Sequence, residues 1–259
     1  MKILAIGDVV AKPGRRVLQA NLAKLQQQHD VDFTVVNIEN AAGGSGITRG
    51  VYKELCALNI DVMTSGNHIF NKKEVLEFID DEPTLLRPHN FPKGARGSGV
   101  VTVTAQNGVK VTVMNLMGQV FMHPILNCPF EAMTALLEEH GKEDSLILLD
   151  FHAETTSEKI AMGWFVDGKI AAQWGTHTHV QTADERVLPD GTAFICDLGM
   201  TGAYNSVIGV NSDIIVEGYV TKLRGRFDPA TGPAALCGAL IDVDETTKKA
   251  RSIQRIRVE

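Results

Sequence analysis

Apolar residues along this chain fall into short runs that stop abruptly at polar loops, and between those runs they recur at helical spacing. Residues 2–6 (KILAI) form a continuous apolar run ending in Gly7 and Asp8, the pattern of a strand covered on both faces. Pro13 suits a first helical turn, and Val17, Leu18, Leu22 and Leu25 carry an apolar helical face to about Gln28. The pattern then recurs. Residues 33–38 (FTVVNI) predict a second strand ending at Glu39 and Asn40, followed by the Gly-rich loop AAGGSG and a helix carrying Val51, Leu55 and Leu58. Residues 61–65 (DVMTS) predict a third strand, which ends at Gly66, Asn67 and His68. Successive strand-helix units imply parallel pairing through right-handed crossovers, because parallel neighbours cannot be joined by a tight turn. Loops at the carboxyl ends of such strands gather on one edge of the sheet, so Asp8, Glu39, Asn40, Asn67 and His68 are expected together there.

The middle of the chain alternates instead. VVTVTA and VKVTVMNL flank Gln106, Asn107 and Gly108 in the manner of a β-hairpin. A helix near residues 130–139 leads into SLILLD, a buried strand that places His152 just beyond its last apolar residues. A helix around 156–165 precedes KIAAQW, after which come Gly175, Thr176, His177, Thr178 and His179. CGALIDVD and ARSIQRIRVE, separated by the polar DETTKK, predict a second hairpin. Hairpins added to parallel units suggest an α/β fold of two sheets packed face to face with helices outside. The 259 residues show no convincing linker, internal repeat or low-complexity stretch, so one domain spanning 1–259 is expected.

Composition narrows the function. A domain of this length buries roughly 70% of its unfolded surface and needs no disulfide or structural zinc, which leaves any metal free for chemistry. With 25 Lys and Arg against 31 Asp and Glu, the net charge of -6 argues against a nucleic-acid groove. Small phosphate substrates stay compatible with it, because bound divalent cations reverse the local field. Cys56, Cys128, Cys196 and Cys237 lie far apart with no CxxC pair, so zinc-knuckle and thioredoxin-like chemistry is excluded and free buried thiols are expected. No signal peptide and no apolar run of about 18 residues stands in the sequence, which points to the cytoplasm and away from membranes.

The chemical signal is recurrence. Acidic, amide or imidazole residues follow an apolar strand at five separate places. A single Asp after a strand, such as Asp8, is ordinarily a cap or turn residue. His177 and His179 are more specific, since residues i and i+2 of an extended segment point the same way and can approach one metal or two adjacent metals. Two solvated loop histidines are the plain alternative. Gly175 leaves room for a turn there. Asn67 offers a neutral amide oxygen and His68 a proton donor, although a structural histidine fits as well. Asp150 and Asp197 are candidates to orient the imidazoles, but turn or cap residues are the simpler explanation. AAGGSG lacks the GK[ST] ending of a P-loop and more simply gives the ligands room to converge. Arg15, Arg49 and Arg87 are candidate substrate contacts, against the usual solvated role.

Taken in order, GDVV, NIENAAGGSG, TSGNH, RPHNFP, DFHAETTSEK, GTHTHVQTAD and CDLGMTG resemble the YmdB-like phosphodiesterases within the calcineurin-like metallophosphoesterase superfamily, over essentially the whole chain. Val10 and Glu39 stand where the wider superfamily carries a His and an Asp, and both departures resemble the YmdB-like branch. The resemblance implies a four-layer α-β-β-α sandwich of two mixed sheets. It implies one metal on Asp8, Glu39, Asn40 and His179, a second on Glu39, Asn67, His152 and His177, and His68 beside them as general acid. The oxygen and imidazole ligands without thiolate suit two ions of iron, manganese or zinc. The implied substrate is a small phosphodiester such as 2',3'- or 3',5'-cyclic AMP, and a homo-oligomer is left open. Two rival functions remain: a regulatory cyclic-nucleotide-binding protein with incidental turnover, and a phosphomonoesterase or nucleotidase on the same scaffold.

Overall fold

Alternation within the apolar runs decides which way each strand faces. The computed structural model describes residues 1–223 and 225–259. Its elements are β1 (Lys2–Ile6), α1 (Ala11–His29), β2 (Phe33–Asn37), α2 (Arg49–Cys56), β3 (Val62–Thr64), β4 (Val100–Thr104), β5 (Lys110–Met117), α3 (Pro129–His140), β6 (Leu146–His152), α4 (Thr156–Val166), β7 (Ala172–Thr176), β8 (Arg186–Val187), β9 (Ala193–Ile195), β10 (Gly202–Ala203), α5 (Ser212–Thr221), β11 (Ala234–Val243) and β12 (Ala250–Val258). In β1, Ile3 and Ala5 face the other sheet while Leu4 and Ile6 pack with Leu18, Leu22 and Leu25 of α1. Period-two side-chain direction therefore splits one apolar run between two cores.

Among the described residues, two six-stranded sheets result. The first has the order β10-β11-β1-β2-β3 with β12 on β11, and the second the order β4-β5-β6-β7-β9-β8. β1, β2 and β3 pair in parallel, as the strand-helix repeats require. β4-β5 and β11-β12 are the two expected antiparallel hairpins, and β8-β9 form a further short one. The inter-sheet core joins Ile3, Phe33 and Val35 to Val113, Leu148 and Trp174. Outside the second sheet, Met133 and Leu136 of α3 and Met162 of α4 pack on Leu149 and Phe151. The layers thus run helix, sheet, sheet, helix.

Some expectations shift. The strand expected over 169–174 is displaced to Ala172–Thr176, and His152 is the last residue of β6 rather than a loop residue. Backbone pairing causes both: His152 pairs with Met117 and Thr176, so a polar residue completes a ladder that hydropathy alone would end earlier. β8, β9, β10 and α5 carry no pattern that announced them. Of the cysteines, Cys196 and Cys237 are buried as expected, whereas Cys128 is half-buried and Cys56 exposed on α2. No helix among the described residues is long and apolar enough to cross a membrane.

Candidate metal centre

The carboxyl ends of β1, β2, β3, β6 and β7 deliver the predicted residues to one place. Asp8, Glu39 and His152 are fully buried, and Asn40 nearly so. Around Nε2 of His152 lie Oδ1 of Asn67 at 3.0 Å, Nδ1 of His177 at 3.1 Å and Oε1 of Glu39 at 3.3 Å. Glu39, His152 and His177 bring one donor atom each within 4.8 Å of one another. Beside them, Nδ2 of Asn40 lies 3.0 Å from Oε1 of Glu39 and 3.2 Å from Nε2 of His179. The His179 ring is 3.9 Å from Oδ1 of Asp8. Glu39 therefore touches both groups of residues. Asn40 turns its amide nitrogen, not its oxygen, toward Glu39 and His179; half a turn of the amide exchanges the two atoms without other movement.

The donor set fits cations. Oδ1 of Asp8 is buried with no hydrogen-bond partner among the described residues, and the His152 and His179 rings at 3.9 Å stand beyond hydrogen-bond reach. Gly66 supplies the space. A Cβ there would lie 2.2 Å from Nε2 of His152 and 2.3 Å from Oε2 of Glu39. Gly66→Ala should accordingly lower stability by about 2 kcal/mol through overpacking, read as a lower thermal midpoint; an unchanged midpoint would show the cradle to be looser than these contacts require.

Each of the three imidazoles has its other nitrogen held. Nδ1 of His152 meets Oγ1 of Thr176 at 2.9 Å, and that hydroxyl donates to Oδ1 of Asp150 at 2.7 Å. Nε2 of His177 meets Oε2 of Glu154 at 3.0 Å. Nδ1 of His179 meets the Ile208 carbonyl at 2.8 Å. Metal-binding histidines are held in this way, which fixes the tautomer and the ring. Asp150 thus acts on His152 through Thr176.

Asp197 works on the backbone instead of on an imidazole. Its carboxylate accepts from Thr178 N at 3.2 Å, Thr178 Oγ1 at 2.7 Å and Gly199 N at 2.7 Å, and it pairs with the buried Lys159 of α4 at 2.7 Å. Thr178 lies between two histidines with left-handed backbone, His177 at φ 98° and His179 at φ 63°, a strained conformation for side-chain-bearing residues. Gly175 makes room less for a turn than for neighbours. A Cβ there would meet the Cys196 carbonyl at 1.9 Å and the Lys159 stem at 2.8 Å.

Charge in the centre is tightly paired. Burial raises the Asp8 carboxyl above its ordinary range. Burial also pushes Glu39 up, but His152 and His68 outweigh it and hold this carboxylate well below the usual value. Burial lowers His152, yet Glu39, Asp8 and Asp150 raise it to about 9. Burial and then the neighbouring His152 push His177 down to about 3.

Comparison with known proteins decides the family. The profile described as YmdB-like protein matches residues 4–256. A Bacillus subtilis relative named 2',3'-cyclic-nucleotide 2'-phosphodiesterase is 47% identical over 258 residues, covering 100% of this chain and 97% of that protein. The chain belongs to the YmdB-like family. Among solved structures, a hypothetical protein from Thermus thermophilus superposes with a TM-score of 0.93 at 36% identity, covering 100% of this YmdB-like chain and 99% of that one. A structure described as a novel phosphatase, from Mycoplasma pneumoniae, gives 0.94 at 34% identity over 100% and 93%.

Sequence reasoning missed Glu154, Lys159 and Ile208. Glu154 follows His152 in the DFHAE block, a proximity that could have marked it. Lys159 sits in an apolar helix and Ile208 acts through its carbonyl, so neither left a signal. The three candidate arginines are structural. Arg15 holds Glu54 and the Ala41 carbonyl, Arg49 covers the Phe78 ring, and the buried Arg87 ties down the carbonyls of Pro88, His89, Ala95 and Arg96. None lines the pocket over the centre. The Gly-rich loop folds back on residues 39–40, with Gly46 N donating to the Glu39 carbonyl at 2.6 Å and Gly44 N to that of Asn40 at 3.1 Å.

Proposed function

We propose that this YmdB-like chain is a phosphodiesterase that opens 2',3'-cyclic mononucleotides, with Asp8, Glu39, Asn40, Asn67, His152, His177 and His179 holding two metal ions. The observation that carries this is Glu39, fully buried and in contact with both ligand groups. Two dications bound there would supply positive charge to the phosphate and an acidified water. Iron, manganese and zinc all suit the ligands.

The chain's own residues do the rest. Held nitrogens on His152, His177 and His179 fix the rings before substrate arrives, so no reorganisation is needed at the moment of reaction. His68 is the proton donor of this proposal. Its backbone N-H donates to Oε2 of Glu39 at 3.2 Å, and its Nδ1 meets Oδ1 of Asn40 at 2.9 Å. With the Asn40 oxygen turned to a metal, its Nδ2 would donate to Nδ1 of His68, which would leave the ring proton on Nε2 for the departing sugar oxygen.

His68→Ala should cut kcat for cyclic AMP by about 10²–10⁴ while leaving metal content unchanged. The loss should be smaller for bis-p-nitrophenyl phosphate, whose leaving group departs without a proton. Equal losses on both substrates would remove His68 from the acid role. The function itself is tested by giving the manganese-loaded protein 2',3'-cyclic AMP, 3',5'-cyclic AMP, 3'-AMP and bis-p-nitrophenyl phosphate. Conversion of 2',3'-cyclic AMP to 3'-AMP without release of inorganic phosphate is expected. Faster hydrolysis of 3'-AMP would make the protein a phosphomonoesterase, and tight binding with negligible turnover would make it a nucleotide sensor.

A further inference from the structure

α5 presents a contradiction that the metal centre does not resolve. Its sequence SDIIVEGYVT is mostly apolar, yet none of its residues is buried. A helix apolar on nearly every side is ordinarily covered. Beyond it the chain leaves Phe227 67% exposed, and within it Tyr219 is 73% exposed. Both rings line the same pocket, of about 1030 Å³, that opens over Glu39, Asn40, His68, His177 and His179. A phosphate group fills a small part of such a volume, which lies at the upper end of small-molecule sites.

The lining divides by chemistry. Donors for cations and phosphate come from strand ends, while Ile214, Ile215, Tyr219, Phe227 and Pro229 contribute apolar and aromatic surface. The two parts are mechanically joined, because the Ile208 carbonyl that precedes α5 receives Nδ1 of His179 at 2.8 Å. The two acids of the helix, Asp213 and Glu217, are absent from the lining, so the helix adds no fixed negative charge to it. A ligand anchored through an anionic phosphodiester would extend an uncharged, planar group over this surface.

We propose that α5 and its flanking residues form the nucleobase wall of the site, with Tyr219 and Phe227 as the rings on which the base stacks. The inference rests on the phosphodiesterase function proposed above and adds the part of the substrate that the metal centre does not read. Stacking accepts every base, since each has a π-face, and it favours purines over pyrimidines by stacking strength. These contacts are made equally in the ground state and the transition state, so they set KM and leave kcat alone.

The test compares 2',3'-cyclic AMP with 1-O-methylribose 2',3'-cyclic phosphate, which lacks the base, for the manganese-loaded protein and its Tyr219→Ala, Phe227→Ala and Tyr219→Phe variants. Wild-type KM should be about a hundredfold lower for cyclic AMP than for the base-free substrate. Each alanine variant should raise KM for cyclic AMP about tenfold, with kcat within about twofold and the base-free kinetics unchanged. Tyr219→Phe should behave as wild type. Equal wild-type KM values, or alanine variants that shift both substrates alike, would overturn the nucleobase wall and leave the phosphodiesterase standing. Alanine variants that change sedimentation but no kinetic constant would make α5 a contact between copies of the chain and overturn it equally. Hydrolysis of neither substrate would remove the parent function, and this inference with it.

Discussion

Glu39→Gln protein should retain no more than about one part in 10³ of wild-type phosphodiesterase activity and bind fewer metal ions per chain. Residues that merely orient a ligand change affinity or activity by about 10–100-fold. Glu39 contacts both groups of residues, so at the two-metal site proposed above a loss of that size at each ion would multiply. Glutamine keeps the shape and not the chemistry. Glu39 now accepts from His68 N at 3.2 Å on one oxygen and from Asn40 Nδ2 at 3.0 Å on the other. An amide in its place carries no negative charge for either group of residues, and one of its two ends is a donor where Glu39 now only accepts. The side-chain volume is unchanged, so the far-ultraviolet circular dichroism should be too. Metal analysis alongside activity separates the possibilities: a wild-type rate, or wild-type metal content, in the variant would sink the shared-glutamate site.

Asp197→Ala should lower the thermal midpoint by about 6–20 °C, and metal affinity should fall with it. The reason is the partner left behind. Lys159 is 1% exposed, and removing one member of a buried ion pair costs about 3–5 kcal/mol because the other charge stays in the interior unpaired. For a chain of this size that energy corresponds to the stated shift. A second effect acts on the site. His177 and His179 hold left-handed backbone on either side of Thr178, a conformation that costs about 1–3 kcal/mol per residue and persists only while the surroundings impose it. Without the carboxylate, both Thr178 hydrogen bonds are lost and the histidines relax away.

The double variant Lys159→Met with Asp197→Ala separates these effects. It should recover most of the stability, because replacing a buried pair by apolar groups is often neutral, while metal affinity stays low. If affinity recovered together with stability, Asp197 would be a folding residue with no hold on the His-Thr-His segment.

Much of this arrangement was legible beforehand. Strand-helix repetition at the start fixed β1, β2 and β3 as parallel neighbours, and parallel neighbours present their ends on one edge. Asp8, Glu39, Asn40, Asn67, His68, His152, His177 and His179 were each identifiable because apolar runs stop next to them. α5 was not legible, since an apolar helix with no buried face leaves no periodic contrast. β9, with three residues, is too short to carry a period, though it is an interior strand of the second sheet.

Hydrophobic patterning alone determined the longer strands, which of their ends are polar, and that two sheets must cover each other, because burial of apolar area is local in sequence and roughly additive. Tertiary structure decided everything that depends on partners far apart in the chain. Only folding sets Asp197 against Lys159, Glu154 against His177 and the Ile208 carbonyl against His179, because a hydrogen bond acts over about 3 Å and has a direction. That range and direction are what separate a list of ligand-type residues from a centre in which each imidazole is already aimed.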